Sequence, residues 1–362
     1  MTKLRTVCEL AVAIALGAAL GGAAPVAAQY TVTEYSAGIT AGSQPSSITV
    51  GPDGAMWFTE LSHECIGRIT TAGVVTEYCA GITAGSEPWS ITAGPDGALW
   101  FTENVGDRIG RITTAGTVTE YSAGITAGAG PEDITSGPDG ALWFSEHDGD
   151  RIGRITMAGT VTEYSAGITA GAWPWGITVG PDGALWFTEP WVDSIGRITT
   201  AGTVTEYSAG ITAGAWPVGI TSGPDGALWF TENEVASIGR ITTAGTVTEY
   251  PAGITAGAGP LGITVGPDGA LWFTEASGDR IGRITTAGTV TEYSAGITAG
   301  AEPEYITAGP DGALWFTENQ VAGIGRLSLM AATSVPTLSA LGLTILGALV
   351  AAAGLLAMRR SS

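Results

Sequence analysis

Basic residues are scarce in this sequence, and their shortage limits what the protein can bind. Lysine and arginine together number 14 against 34 aspartates and glutamates in 362 residues, a formal net charge of −20 at pH 7. A surface this acidic repels the phosphates of nucleic acids and anionic lipids. We therefore expect no nucleic-acid partner, and we expect cations or neutral molecules as ligands.

Helix-forming polar residues are few as well. Charged residues make up only 13% of the chain, whereas glycine occurs 56 times. Threonine, isoleucine, valine, tryptophan and tyrosine fill the periodic segments, and β-branched and aromatic residues favour strands. The composition therefore predicts an all-β protein.

The two ends differ in composition from the middle. Residues 1–28 have a basic start, an apolar run and small residues at the end, which predicts a signal peptide. Residues 331–362 contain an apolar run at 340–358, long enough to span a bilayer as a helix, followed by two arginines. A retained N-terminal anchor and a buried core helix are the alternatives. We expect one folded domain at 29–330 between these ends.

The C-terminal segment begins with Val335-Pro336-Thr337-Leu338-Ser339 before its apolar run and basic end. This arrangement resembles the VPTL/IPTL-type sorting signals of Gram-negative bacteria. The resemblance implies cleavage by an exosortase-type processing enzyme and delivery to the cell surface or beyond. Contact with the membrane would then be transient, through the C-terminal transmembrane helix.

One motif, Gly-Pro-Asp-Gly, recurs at intervals of 43 residues. Repeats of about 40–45 residues with several short strands each are typical of propeller blades. Four strand-like segments occupy each unit, so the sequence predicts a seven-bladed β-propeller with four antiparallel strands per blade. The motif begins at Gly51, Gly94, Gly137, Gly180, Gly223, Gly266 and Gly309.

Closure of the ring is predicted by a displaced strand. The seventh unit lacks its fourth strand, and a spare copy, Thr-Val-Thr-Glu-Tyr, lies at 31–35. We predict that 31–35 pairs with the last blade, which removes an exposed sheet edge. An open solenoid is the alternative to a closed ring. We expect the protein to be a monomer.

Two cysteines, Cys65 and Cys79, occur in the first unit alone. A hairpin with the loop 71–73 places them opposite each other, and export permits their oxidation. We predict a disulfide between them. A metal pair is the weaker interpretation, since two thiols alone rarely make a metal site.

Variation among the units is confined to one end of the blades, the variable face. It comprises the connections from second to third strand and the entries into each first strand. Loops on a rigid scaffold commonly carry binding sites. Aromatic side chains there suit a small-molecule, peptide or glycan ligand, although packing between loops explains them equally well. The candidate ligand-binding residues are Trp89, Trp173, Trp175, Trp191, Trp216 and Tyr305.

A glutamate ends every second strand. Seven carboxylates near one axis would hold Mg²⁺ or another divalent cation, with waters completing the shell. The alternative is a solvated residue that the repeat merely copies. These glutamates are Glu60, Glu103, Glu146, Glu189, Glu232, Glu275 and Glu318.

The unit Ile-Thr-x-Gly-Pro-Asp-Gly-Ala-Leu-Trp-Phe-Thr-Glu, continued by Ile-Gly-Arg-Ile and Thr-Glu-Tyr, resembles the virginiamycin B lyase family over residues 30–327. The resemblance implies seven blades and an enzyme that opens streptogramin B antibiotics by Mg²⁺-assisted elimination. A histidine of that family removes the proton next to the ester carbonyl, and acidic residues hold the metal.

The family's Glu-Pro-His pattern, followed by Trp-Phe-Thr-Glu, has two partial matches here. The resemblance implies metal ligands at Glu87 with Glu103 and at Glu302 with Glu318.

The family's histidine is absent from both matches, because Trp89 and Glu304 stand in its place. The candidate bases are Glu304, if its pKa is raised, and His147 on the variable face.

Three functions follow from these patterns. The first is an exported binding propeller that kept the scaffold and lost the base. The second is a divergent Mg²⁺-dependent C–O lyase, and the third is a purely structural propeller.

Overall fold

The computed structural model describes residues 30–329, and the predicted signal peptide and C-terminal helix lie outside them. The described chain forms seven four-stranded antiparallel sheets, one per repeat, which confirms the predicted seven-bladed β-propeller. We number them blades 1 to 7. No helix within residues 30–329 is long and apolar enough to cross a membrane.

Blades 1 to 6 are built in chain order from the central channel outwards, whereas blade 7 takes its outermost strand from the N-terminal end of the described chain. The first strands are Pro45–Val50, Pro88–Ala93, Pro131–Ser136, Ile177–Val179, Pro217–Ser222, Pro260–Val265 and Pro303–Ala308. The second strands are Met56–Glu60, Leu99–Glu103, Leu142–Glu146, Leu185–Glu189, Leu228–Glu232, Leu271–Glu275 and Leu314–Glu318. The third strands are Cys65–Ile69, Arg108–Ile112, Arg151–Ile155, Ser194–Ile198, Ser237–Ile241, Arg280–Ile284 and Gly323–Leu329. The fourth strands are Val75–Tyr78, Val118–Tyr121, Val161–Tyr164, Val204–Tyr207, Val247–Tyr250, Val290–Tyr293 and, in blade 7, Tyr30–Tyr35. Two short 3-10 turns, Pro190–Val192 and Ala276–Gly278, follow the second strands of blades 4 and 6.

The N-terminal strand closes the ring as predicted. Tyr30–Tyr35 is the outermost strand of blade 7 and pairs with Gly323–Leu329. Tyr35 stacks on Trp315 with the ring centroids 5.7 Å apart, and Tyr207 stacks on Trp186 of blade 4 at 5.5 Å. Blade 7 therefore has the same internal packing as the blades that are continuous in sequence.

The core lies between the blades, because each blade buries both flanks against its neighbours. Trp57 of blade 1 is fully buried in a cluster with Ile91 and Phe101 of blade 2. Phe58 covers Gly67 of the adjacent strand so closely that a Cβ there would lie 2.1 Å from the Phe58 ring. The predicted core role of the seven tryptophans in the second strands is confirmed by their burial.

The Gly-Pro-Asp-Gly turn is fastened by its aspartate in every blade. In blade 4, Asp182 accepts hydrogen bonds from the indole N–H of Trp186 at 3.0 Å and from Arg197 Nε at 2.7 Å. The Arg197 guanidinium lies over the Trp186 ring. Burial alone would raise the pKa of Asp182, but the bonds from Trp186 and Arg197 outweigh it and lower that pKa. Seven arginines are used in this way, at the end of the blades opposite the variable face.

The first blade carries the one disulfide of residues 30–329. Cys65 and Cys79 are bonded, with their Cα atoms 4.2 Å apart. Ile66 pairs with Tyr78 in the same hairpin, which is the register from which the pairing is predicted.

Candidate functional site

The first strands converge on the channel, and six of the seven change register where they reach its mouth. In blade 3, Pro131 is opposite Glu146 and Ile134 is opposite Phe144, so one extra residue is accommodated between them. Such a bulge re-aims the side chains around it. In blade 4 the corresponding residues precede the strand Ile177–Val179. The x and y residues of Pro-x-y-Ile in each repeat supply the groups at the mouth.

The y residues line a cavity of about 150 Å³ on the channel axis. In blades 4 and 5 they are Gly176 and Gly219, because a Cβ there would lie 2.5 Å or less from a backbone oxygen of the next blade. The seven y residues are Ser47, Ser90, Asp133, Gly176, Gly219, Gly262 and Tyr305.

Asp133 ties three first strands together at this level. Its carboxylate accepts hydrogen bonds from Ser90 Oγ of blade 2 at 2.6 Å and from the backbone N–H of Ile177 of blade 4 at 2.8 Å. Burial raises the pKa of Asp133, although these hydrogen bonds oppose the rise. The floor of the mouth is thus a rigid surface that carries a carboxyl group.

Two tryptophans are held in the rim by unusual backbone geometry. Trp173 and Trp216 have φ values of 54° and 57°, whereas Gly130 and Gly259 occupy the same position in blades 3 and 6. A bulky residue in this left-handed region is strained. The N–H of Trp173 donates to Asp150 at 3.0 Å, and that of Trp216 to Asp193 at 3.1 Å, so the preceding blade fixes each one.

Aromatic rings form a continuous path across the mouth, which we call the aromatic path. The structure brings together the predicted tryptophans and adds His147, whose ring centroid lies 4.5 Å from that of Trp173 and 5.3 Å from that of Trp175. Trp191 is 53% exposed and is the most open ring of the path. The order of the rings is Trp89, Trp175, His147, Trp173, Trp191 and Trp216.

Carboxyl groups of the x residues stand beside the aromatic path. Glu132 is 4% exposed, and Asn104 Nδ2 donates to its Oε2 at 2.7 Å. Burial raises the pKa of Glu132 well above its usual range, and the charges of Asp133, Asp148 and Glu304 raise it further.

Glu304 and Tyr305 face these groups from blade 7. Burial raises the pKa of Glu304 to about 7, while hydrogen bonds with Ser46 and Asn319 moderate the rise. Tyr305 has its pKa raised by burial and by the charges of Asp133, Glu132 and Glu304, and it hydrogen-bonds to Trp175 of blade 4. The mouth therefore joins acids and aromatic rings from opposite sides of the propeller.

The candidate base His147 is a member of the aromatic path. Its Nδ1 lies 3.1 Å from the Asp148 carboxylate, and its side chain is 16% exposed. The edges of two indoles thus flank the ring, which leaves little of it accessible from the mouth.

The glutamates that end the second strands do not form the predicted ring around the axis. Alternation along the strand places Glu60 on the same face as Phe58, toward the flank of the blade. Burial, followed by the charge of Glu77 on the fourth strand, raises the pKa of Glu60 to about 8. Each blade repeats this pair of a buried second-strand glutamate and a more exposed fourth-strand glutamate, including Glu318 with Glu34 in blade 7.

The residues expected to hold a divalent cation are not drawn together. Glu87 and Glu302 are exposed, whereas Glu103 and Glu318 are buried with fourth-strand glutamates. Among residues 30–329, the one group of three potential ligands is His63 with the two bonded cysteines. The donor set therefore fits a metal poorly.

Glu132 and Asp133 are not among the residues predicted from the sequence. They lie within the variable entry 130–133, and the signal that could have found them is their acidic character, which at these two positions is shared only by Glu304. The bulge that turns x residues over the channel is not visible in the pattern.

Comparison with known proteins identifies the scaffold. The virginiamycin B lyase family model matches residues 18–213, 125–295 and 211–347. A streptogramin B lyase structure is 41% identical with a TM-score of 0.77, and covers 83% of this chain and 98% of its own. No curated protein sequence matches the chain.

Two structures from Staphylococcus aureus are similar to the same degree. Selenomethionine-substituted virginiamycin B lyase is 40% identical with a TM-score of 0.77, covering 83% of this chain and 100% of its own. A catalytically inactive histidine-to-alanine variant of virginiamycin B lyase with quinupristin gives the same values. By family model, identity and coverage together, this chain belongs to the virginiamycin B lyase family.

Proposed function

We propose that this chain is a binding propeller of its family, whose variable face holds a ligand with a flat, largely apolar ring. The observation that carries the proposal is the aromatic path, six rings in contact across the mouth of the channel. Indole faces bind sugar rings, aromatic groups and peptide side chains through area and ring geometry. Trp191 supplies the exposed entry to the path.

The rim position of Trp173 and Trp216 has a left-handed φ in every blade. Glycine, which this φ favours, occupies it only in blades 3 and 6, and Gln44, Glu87 and Glu302 occupy it in blades 1, 2 and 7. The left-handed backbone is therefore shared by the whole ring. What distinguishes blades 4 and 5 is the aromatic side chain, which a hydrogen bond to the preceding blade holds in place.

A panel of ring ligands tests this proposal. Isothermal titration of the purified propeller with aryl glycosides, aromatic peptides and a streptogramin B antibiotic is expected to give at least one ligand. Trp173→Ala and Trp191→Ala are expected to weaken its binding. Trp57→Phe in the core serves as the matched control, because Trp57 is buried between blades 1 and 2. Binding that survives both rim substitutions would contradict the proposal.

A C–O lyase is the second candidate, and one observation favours it. Glu304 occupies the place of the family's histidine, and its pKa of about 7 suits a general base at neutral pH. In that reaction Glu304 would remove a C–H proton beside the ester linkage of a streptogramin B-type depsipeptide, a C=C bond would form as the ester C–O bond breaks, and the carboxylate would leave as the new chain end. Linearised product that disappears with EDTA, with Glu304→Gln or with Glu318→Gln would establish this function over simple binding.

We further propose that the protein is exported, anchored transiently by its C-terminal helix and released by an exosortase-type enzyme. The disulfide between Cys65 and Cys79 supports an oxidising compartment. Mass spectrometry of the mature protein is expected to find termini near residues 29 and 335. A full-length chain in which Cys65 and Cys79 are both free thiols would contradict the proposal.

A further inference from the structure

Four acidic side chains gather at the mouth of the channel, where His147 lies beside Asp148. Glu132, Asp133, Glu304 and Asp148 act on one another or on Tyr305 as like charges. Residues 30–329 contain no lysine and ten arginines. Apart from His147, any cation at the mouth must therefore come from those arginines or from outside the chain.

All ten arginines are engaged elsewhere. Seven bind the aspartates of the Gly-Pro-Asp-Gly turns at the far end of the blades. The remaining three pair with glutamates on the second or fourth strands: Arg108 with Glu103, Arg151 with Glu163, and Arg280 with Glu275. The acids of the mouth are thus left for an external partner.

One buried oxygen points to the same conclusion independently. Glu132 is 4% exposed, its Oε2 accepts from Asn104, and its Oε1 has no hydrogen-bond partner. A buried acceptor without a donor is costly to maintain. A ligand that donates N–H groups at this point would satisfy it.

The surrounding rings restrict the kind of donor. Trp89 and Trp175 lie edge to face at 6.4 Å, and Tyr305 contacts Trp175 from the opposite blade. Aromatic faces combined with carboxylates bind organic cations, through cation–π attraction and charge-assisted hydrogen bonds. Tyr305 also lines the cavity of about 150 Å³, which is large enough for a head group but not for an entire ligand.

We infer that the mouth binds the ammonium group of a small organic amine, with Glu132 and Glu304 as its counter-ions and Trp89, Trp175 and Tyr305 as its aromatic wall. The inference rests on the proposed binding function and names the ligand class. The ammonium N–H groups donate to the free Oε1 of Glu132 and to Glu304. The apolar body of the amine lies along the aromatic path toward Trp191.

Matched probes test the charge requirement. Protonated 2-phenylethylamine, 2-phenylethanol and 3-phenylpropionate share a ring and differ in the head group, and each is titrated calorimetrically into the intact propeller. The amine is expected to bind about tenfold or more tightly than the alcohol, since a hydrogen bond to a charged group is worth that factor. The carboxylate is expected not to bind.

Variants assign the effect to named residues. Glu132→Gln and Glu304→Gln are expected to reduce amine affinity to that of the alcohol and to leave the alcohol unchanged. Glu234→Gln is the control, because Glu234 is an exposed acid on the variable face in blade 5. Thermal unfolding of each variant checks that the propeller is intact.

Each result separates the inference from the proposed function. If amine and alcohol bind equally, and both lose binding in Trp175→Ala, the requirement for a cationic head group is wrong and the aromatic binding function stands. If amine affinity is unchanged in Trp175→Ala but lost in Glu132→Gln, the aromatic binding function is contradicted instead. Absence of amine binding, an equal effect of Glu234→Gln, or displacement of the amine by stoichiometric Mg²⁺ would each overturn the inference. If a lysine-containing peptide binds more tightly than the free amine, the ammonium group of the natural ligand is a lysine side chain of a peptide.

Discussion

Replacing one buried glutamate by glutamine should stabilise this propeller at neutral pH. Glu189 of blade 4 is fully buried, and neither of its carboxylate oxygens has a hydrogen-bond partner. Burial, followed by the charge of Glu206, raises its pKa from 4.5 to about 9. The folded protein therefore holds this side chain protonated at pH 7, whereas the unfolded chain ionises it.

The magnitude follows from proton linkage. Keeping a carboxyl group protonated costs about 1.4 kcal/mol for every pH unit above its unfolded pKa. At pH 7 the cost for Glu189 is thus about 3 kcal/mol. Glutamine is neutral at every pH and retains an N–H donor toward Glu206. Glu189→Gln is expected to raise the free energy of unfolding at pH 7 by about 2–3 kcal/mol.

The stability gained by Glu189→Gln should increase with pH. A pKa raised in the folded state gives stability that is complete below the unfolded pKa of 4.5 and is lost as pH rises toward the folded value of about 9. The gain from Glu189→Gln should accordingly be near zero at pH 4.5, grow steadily through pH 8 and level off near 9. Urea unfolding at several pH values measures this difference directly.

A matched glutamate in another blade provides the control. Glu275 of blade 6 occupies the same repeat position, but Arg280 Nε lies 3.0 Å from its Oε2. Glu275→Gln removes this ion pair, so its gain should be smaller than that of Glu189→Gln. A constant loss of stability at all pH values in Glu189→Gln, or equal gains in the two variants, would refute the reasoning.

Three further predictions concern the scaffold. The double variant Cys65→Ser with Cys79→Ser opens a disulfide that spans 14 residues, and urea unfolding should show a loss of about 3 kcal/mol that reductant reproduces in the parent protein. Asp182→Ala removes the acceptor of Trp186 and Arg197; it should cost about 2 kcal/mol at pH 7. Because the pKa of Asp182 is lowered in the folded state, this contribution should fade as pH falls through that pKa, and an undiminished difference in acid would contradict it. Deletion of residues 30–35 exposes the edge of Gly323–Leu329 and should produce dimers or aggregates in size-exclusion chromatography; a monomer of unchanged stability would rule out ring closure by this strand.

Local pattern was sufficient for the scaffold because a hairpin is specified by neighbours in sequence. The 43-residue period determined the number of blades, and the displaced strand at 31–35 determined how the ring closes. The register of one hairpin determined that Cys65 faces Cys79. Strand alternation, however, also sends Glu60 to the flank of its blade, and the prediction of seven carboxylates around the axis overlooked this consequence of the same pattern.

What the sequence by itself determined was thus the blade, its closure, its disulfide and the face on which the repeats vary. Only the tertiary structure decided which variable residues meet, because Glu132, Trp175 and Tyr305 come from blades 3, 4 and 7 and approach each other across the channel. The raised pKa values of Glu132 and Tyr305 arise from that same convergence, since burial and like charge act on these two residues only in the closed ring. The Pro-x-y-Ile segments complete the mouth, because they bring residues of all seven blades around one axis.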